Sequence, residues 1–291
     1  MRGLKIAAGA GIIVLLVLFF RDSVNYILSA NPAFFAGSVV CYEILNVLLA
    51  YRIHHLLRSM GIKSRFADVF KAHLAGMIAG DFTPGRAGYF STPVFASAYS
   101  MDSKAVMGTI LSAQAVEMVV KVFGASIGIV YLLGLNELSL IVLPFLISAI
   151  AVMYLWTDMP PDFERIRMIR RYARETKKNA VFILGISIAG WVVVGVQWYL
   201  IFRALGLNVS FVQSMILQPL GTLLMFLPLT PGGMGLFESG SGFMVSVVTG
   251  SISAGIAHSI LVRASTILAD IPGITEFRKE SREFRIQELF S

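Results

Sequence analysis

Two hexamers, Thr83-Pro84-Gly85-Arg86-Ala87-Gly88 and Thr230-Pro231-Gly232-Gly233-Met234-Gly235, share the pattern T-P-G-x-x-G about half the chain apart. Each interrupts an apolar region, near 66–100 and 211–248 respectively. Such a break supports two chemistries. Thr83 and Thr230 can cap helices that begin at Pro84 and Pro231, aiming free N–H groups and a positive dipole end at an anion. Alternatively, Pro-Gly forms the centre of a type II turn between two half-helices, and the glycines supply positive φ. Both readings leave an open, glycine-lined backbone that an anionic group can approach.

Charged residues gather round the same breaks. Asp81 and Arg86 flank the first and Glu238 follows the second; Glu117 and Lys121 stand one turn apart in the apolar stretch after the first, and Arg263 lies in the matching stretch after the second. A charge at the bilayer centre costs about 2.5–3.5 kcal/mol even on the insertion scale, so these groups are expected to face a bundle interior or a pathway. The expected site is one polar centre. Arg86 and the N–H groups near Gly85, Gly232 and Gly233 hold a phosphate there, Gly88 and Gly235 leave it room, and Glu117 and Glu238 balance charge or engage a cationic group. The competing expectation is mutual neutralisation, of Glu117 by Lys121 at i, i+4 and of Asp81 by Arg86.

The elements that must position these residues follow from composition. Of 291 residues, 56% are hydrophobic and 14% charged, far from the balance of a soluble domain, so the chain reads as a polytopic membrane protein. A span needs about 20 apolar residues, and six stretches supply them or nearly so: 4–20, 33–57, 105–133, 138–156, 180–202 and 251–271. The first, preceded by Arg2 and Lys5, reads as a retained anchor because no small-x-small cleavage site follows. The halves of the two interrupted regions, about 15 residues each, are short for a crossing and read as re-entrant hairpins.

Charge sets the orientation. The segment 157–179 holds Arg165, Arg167, Arg170, Arg171, Arg174, Lys177 and Lys178, and Arg58, Lys63 and Arg65 fill the earlier loop. With two hairpins, both loops and both termini are cytoplasmic, and the outer loops at 134–138 and 249–251 carry no Lys or Arg. The first hairpin then enters from the cytoplasm and the second from outside, which makes an inverted repeat. Upstream, Arg58, Gly61 and Phe66 echo Arg203, Gly206 and Phe211. The fold class is all-α: an integral membrane protein of about six spanning helices plus two re-entrant helical hairpins. It divides into an anchor and outer segment (1–32), a first repeat (33–133), a connecting span and basic loop (134–179), a second repeat (180–272) and a charged tail (273–291) that suggests a short surface helix. Interrupted helices meeting near the midplane are a transporter architecture; packed kinks, with Gly76, Gly80, Gly124 and Gly128 in small-xxx-small contacts, are the simpler alternative.

Other chemistry is expected to be absent. The net charge of +7, from 24 Lys and Arg against 17 Asp and Glu, sits between apolar segments and points to membrane topology rather than nucleic acid. Cys41 is the only cysteine and there are four histidines, so neither a metal site nor another cofactor is expected. Arg52, His54 and His55 are expected to snorkel near the cytoplasmic end of their helix, Trp156 and Trp198 to sit in interface belts or packing, and Glu43 has no assigned partner. No phosphate loop, nucleophile elbow or His-Glu-x-x-His occurs, so no enzymatic activity is expected.

The two motifs, with the second extended through Leu236-Phe237-Glu238, resemble the lysylphosphatidylglycerol synthetase/flippase transmembrane family, which carries Pro-x-Arg-x-Gly in its first half and Pro-Gly-Gly-x-Gly-x-x-Glu in its second. The resemblance covers about 33–275. Arg52, Glu117 and Arg263 also fall where that family places charges. Tyr89 and Met118 stand where many relatives have Glu and Arg. The resemblance implies a flippase that moves aminoacylated and anionic phospholipids between leaflets; with the mirrored breaks and buried cations, the expected function is a flippase or transporter in the cell membrane for an anionic phospholipid or a polyprenyl-phosphate type of lipid. A membrane-embedded enzyme or accessory module for glycosyl or headgroup transfer on a lipid carrier is the alternative. About 20 residues follow the last span, so lysyl transfer is not expected. Membrane lipids are the expected partners, and homo-oligomerisation stays open.

Overall fold

The structure, a computed structural model, describes residues 21–134, 164–225, 233 and 235–276. The apolar stretches 4–20 and 138–156, Trp156, the tail beyond 276, and Thr230, Pro231 and Gly232 lie outside the described residues. The helices are α1 (Pro32–Ser59), α2 (Phe66–Asp81), α3 (Thr92–Ser97), α4 (Ser103–Leu133), α5 (Glu164–Lys177), α6 (Ala180–Ala204), α7 (Phe211–Met225), α8 (Leu236–Thr249) and α9 (Ile252–Asp270). A 3-10 segment, Ala87–Ser91, precedes α3, and a second, Ile271–Gly273, prolongs α9. Four apolar helical stretches among the described residues are long enough to cross a membrane: Pro32–Ser59, Ser103–Leu133, Ala180–Ala204 and Ile252–Glu276. They coincide with four of the six spans expected from the sequence.

Local chemistry starts and stops these helices. Asn31 caps α1 by accepting from the Ala33 N–H, with Pro32 at the first helical position. Asp102 caps α4 through the Lys104 and Ala105 N–H groups, and Gly134 ends that helix in the left-handed region, φ 63°. Ser251 accepts from Ala254 at the start of α9.

Helices α1 and α6 run antiparallel along their whole length. The Asn31 N–H donates to the Ala204 carbonyl at one end (2.8 Å), and the Asn179 amide donates to the Ser59 hydroxyl at the other (3.2 Å). Between these ends Gly37 faces Leu200 and Gly190 faces Leu45. Helix α4 lies against α7, where Gly124 receives Pro219 and Gly128 receives the Ile216 carbonyl. Correspondingly, Gly273 at the end of α9 receives the Leu74 backbone of α2. The long helix that follows each break thus packs on the helix that precedes the other break. Small residues permit this, because association in lipid depends on backbone proximity rather than on a hydrophobic drive.

The basic segment folds in part as α5. This helix lies across the start of α4, with the Ile169 carbonyl and Tyr172 over Gly108 and the Ser112 hydroxyl donating to the Ala173 carbonyl at 3.1 Å. The Tyr172 hydroxyl donates to Asp102 at 2.8 Å, and that bond pushes its pKa up.

The first interrupted region turns back on itself, but unevenly. Helix α2 has 16 residues, whereas the returning arm is a five-residue 3-10 turn running into the six-residue α3, which corrects the expectation of two equal halves. Gly76 packs on Thr92, Gly80 on the Arg86–Tyr89 backbone and Gly88 on the Ala79 carbonyl, an antiparallel pairing of backbones. A Cβ at Gly88 would meet that carbonyl and lie 2.7 Å from the Thr83 hydroxyl. Neither can withdraw without opening the hairpin. Gly88→Ala is therefore expected to lower stability by about 1–3 kcal/mol, measured by thermal unfolding in detergent; an unchanged midpoint would contradict the pairing. The second region has two nearly equal arms, α7 with 15 residues and α8 with 14.

Candidate functional site

At the first break the backbone chooses the turn over the helix cap. The Arg86 N–H donates to the Thr83 carbonyl (3.1 Å), enclosing Pro84 and Gly85, and Gly85 has φ 61°. Positive φ at the third position is what a turn with Pro second asks of glycine. Thr83 ties the turn to both arms. Its hydroxyl donates to the Ala79 carbonyl (3.0 Å) and accepts from the Gly88 N–H (2.6 Å). Thr83 is thus a latch, not a cap.

Arg86 is also left-handed, at φ 56°, a conformation that costs a non-glycine residue roughly 1–2 kcal/mol. The conformation turns the guanidinium back on its own hairpin. Nη2 lies 2.7 Å from Asp81 Oδ1 and 3.8 Å from Asp270 Oδ2, and Nη1 donates to the Tyr42 hydroxyl at 3.3 Å. Asp270 is fully buried and accepts from the Asn46 amide at 2.7 Å, which also reaches Glu43 at 3.3 Å. One cation therefore stands between two carboxylates.

A second ionic group lies on α4. Glu117 accepts from Lys121 at 2.6 Å and from Arg52 at 2.9 Å. The i, i+4 pair expected from the sequence is present, joined by a residue expected elsewhere. Arg52 is 1% exposed and does not snorkel. Helix α1 has 28 residues, more than a bilayer needs, so distance from its end is a poor guide to depth.

At the second break, Gly233 (φ 70°) and Gly235 (φ 80°) lead into α8. Glu238 accepts from the Gly235 N–H at 2.7 Å, closing the first turn of the helix. Its other oxygen pairs with Arg263 Nε, and the Arg263 guanidinium sits 5.3 Å from the centre of the Phe237 ring. The helix entry and an ion pair thus share one carboxylate.

Between the two breaks is a cavity of about 330 Å³. Gly85, Arg86 and Tyr89 line it from the first half, Met225 and Phe237 from the flanks of the second break, and Glu117 and Lys121 from α4. Gln114, Gln197, Gln218, Thr222 and Thr266 add neutral polar groups to walls that are otherwise largely apolar. Two cations, Arg86 and Lys121, and one carboxylate, Glu117, are its charged lining groups among the described residues. Its size and composition fall within the range of small-ligand sites, where a few converging polar groups fix orientation.

Of the residues expected at the site, Gly85, Arg86 and Glu117 line this cavity. Thr83, Pro84 and Gly88 build the turn behind it. Gly233 lies on Met225, a lining residue, while Glu238, which accepts from the Gly235 N–H, and Arg263 form a neighbouring pair beside Phe237. The single polar centre is therefore two clusters and a side pair. Tyr42, Asn46 and Asp270 were not expected. Asp270 carries one legible signal, an acidic residue two turns beyond Arg263 on the same apolar helix, but it reads there as a flanking charge. Trp198 is buried packing, His73 bonds the Tyr89 hydroxyl, and no group of residues suited to a metal occurs among the described residues.

The described residues thus form a bundle of helices, four of them long and apolar enough to cross a membrane, around a cavity with a few charged groups in largely apolar walls. Residues 6–272 match the family described as the lysylphosphatidylglycerol synthase TM region, and the chain belongs to that family. This makes it a multi-pass membrane protein related to lipid modification or flipping. A comparison with curated proteins finds no match.

Proposed function

We propose that this protein moves an anionic phospholipid or a lipid-linked phosphate between the leaflets of a cell membrane, with both termini cytoplasmic. The observation that carries the reading is the cavity that joins Gly85 and Arg86 of the first break to the helices flanking the second, with Lys121 on the same wall as Glu117. Arg86 and Lys121 receive the phosphate, the glutamines and threonines receive its substituents, and the apolar walls accept the start of the acyl or prenyl chain. Burying a phosphate in hydrocarbon alone is prohibitive, and a fixed guanidinium offsets that penalty.

The antiparallel α1 and α6 support an inverted repeat, since each is the span preceding a break. So does the exchange of partners by α4 and α9, each packed on the other half's hairpin. Two halves interlocked about a central cavity can rock against each other and expose it alternately.

Reconstitution tests this. In vesicles holding fluorescent phosphatidylglycerol or a labelled polyprenyl phosphate, a membrane-impermeant quencher is expected to reach nearly all the label when the protein is present, and only the outer half when it is not. Label that stays protected overturns the proposal. Mass spectrometry of the recovered lipid is expected to show it unaltered; a changed headgroup favours enzymatic or accessory action on the lipid.

A further inference from the structure

Behind the cavity, the Asp81–Arg86–Asp270 cluster has a charge imbalance that phosphate binding does not explain. Both carboxyls approach the same guanidinium nitrogen, at 2.7 and 3.8 Å, which sets them side by side on one donor. Asp270 is fully buried, Asp81 nearly so, and the Oδ2 atom of each is buried without a hydrogen bond. Asn46, which holds Asp270, lies midway along α1, so the cluster is packed away from both ends of a helix long enough to cross a membrane. Two ionised carboxylates beside one arginine would leave a net negative charge there and two acceptors facing each other. A single proton removes both faults, turning an acceptor pair into a donor and an acceptor.

We infer that Asp81 and Asp270 share a transported proton, and that its exchange is coupled to lipid movement through Arg86. The coupling rests on the transport reading above; the shared proton does not. Arg86 belongs to both sites, with Asp81 and Asp270 behind it and the cavity in front. A phosphate drawing the guanidinium forward weakens its hold on the carboxyls and raises their affinity for the shared proton. Release of the phosphate returns the guanidinium and lowers that affinity, so that the proton exchanges with the side to which the cavity is open. The two ligands are therefore linked thermodynamically, each changing the other's affinity by the same factor.

The occupant is a proton rather than a metal ion. A hard cation needs about six oxygen ligands, whereas the two carboxyls are accompanied by an arginine that repels it. The other titratable groups facing the cluster are Tyr42 and Glu43 of α1; His73 of α2 and Tyr89 lie farther along the same hairpin and bond each other. None supplies a second cation. Glu43 is separated from Asp270 by the Asn46 amide.

Two measurements test this. Infrared titration of the purified full-length protein is expected to show a protonated-carboxyl C=O stretch at neutral pH, lost in Asp270→Asn and in Asp81→Asn. Absence of that band from the wild type, or its persistence in both variants, overturns the shared proton whatever the lipid does, and the wild-type measurement stands even if a variant fails to fold. In proteoliposomes carrying labelled phosphatidylglycerol, a gradient of about two pH units is expected to sustain roughly 100-fold asymmetry of the label at one proton per lipid, and Asp270→Asn is expected to abolish it. Equal distribution under the gradient, with exchange intact, overturns coupling and leaves transport standing. No exchange at all overturns both transport and its coupling, and the infrared band then decides the proton alone.

Discussion

Arg86→Ala protein is expected to exchange labelled phosphatidylglycerol no faster than protein-free vesicles. Two losses combine in that outcome. The cavity loses the guanidinium that faces its contents, and Asp81 and Asp270 lose the cation between them. Removing one partner of a buried ionic group costs about 3–5 kcal/mol, because the remaining charge stays desolvated. Poor folding alone would therefore mimic loss of function. Arg86→Ala combined with Asp81→Asn separates the two, since it removes cation and carboxylate together. This double variant is expected to recover most of the lost stability in detergent while exchange stays at background. Arg86→Lys is expected to retain partial exchange, because an ammonium keeps the charge but cannot fork between Asp81 and the Tyr42 hydroxyl. Wild-type exchange in a folded Arg86→Ala protein would remove Arg86 from the site.

The same residue shows how far the sequence could be read. The T-P-G-x-x-G pattern announced an interruption, and the nearness of Asp81 and Arg86 along the chain announced their pairing. Short-range geometry is legible because a turn and a helix end leave few alternatives. The third member, Asp270, lies at the other end of the chain, and nothing in its neighbourhood distinguishes a charge at mid-depth from one at a helix end. Arg52 was misplaced for the same reason. Depth depends on how a helix longer than the bilayer is seated by its neighbours, here by the contacts of α1 with α6 and with Asp270. The Glu238–Arg263 pair was legible as two charges on adjacent helices, but its separation from the cavity was not. Phe237, which lines the cavity beside the pair, looks like any apolar residue of a helix entry until α7 and α8 are folded together.

The Glu117 carboxylate is expected to be the most costly single side chain to lose on the far wall of the cavity. It holds Arg52, 1% exposed, at 2.9 Å and Lys121 at 2.6 Å, so one negative charge serves two cations. Glu117→Ala leaves the buried Arg52 without this carboxylate and takes the same partner from the cavity-facing Lys121, and a destabilisation of about 3–5 kcal/mol is expected from unfolding in mixed micelles. Glu117→Gln keeps an acceptor of the same shape and is expected to lose less, about 1–3 kcal/mol. The cation that matters more is identified by a double-mutant cycle. Arg52 is the more buried, so Arg52→Met with Glu117→Gln is expected to show a coupling energy near the upper end of the roughly 0.5–3 kcal/mol range for contacting residues, and Lys121→Met with Glu117→Gln a smaller one. Ordering the two couplings the other way would mean that the cavity-facing lysine, rather than the buried arginine, depends on the carboxylate. Loss of less than about 1 kcal/mol in Glu117→Ala, the size of an ordinary surface pair, would show that the triad is solvated and that this wall of the cavity is open to water.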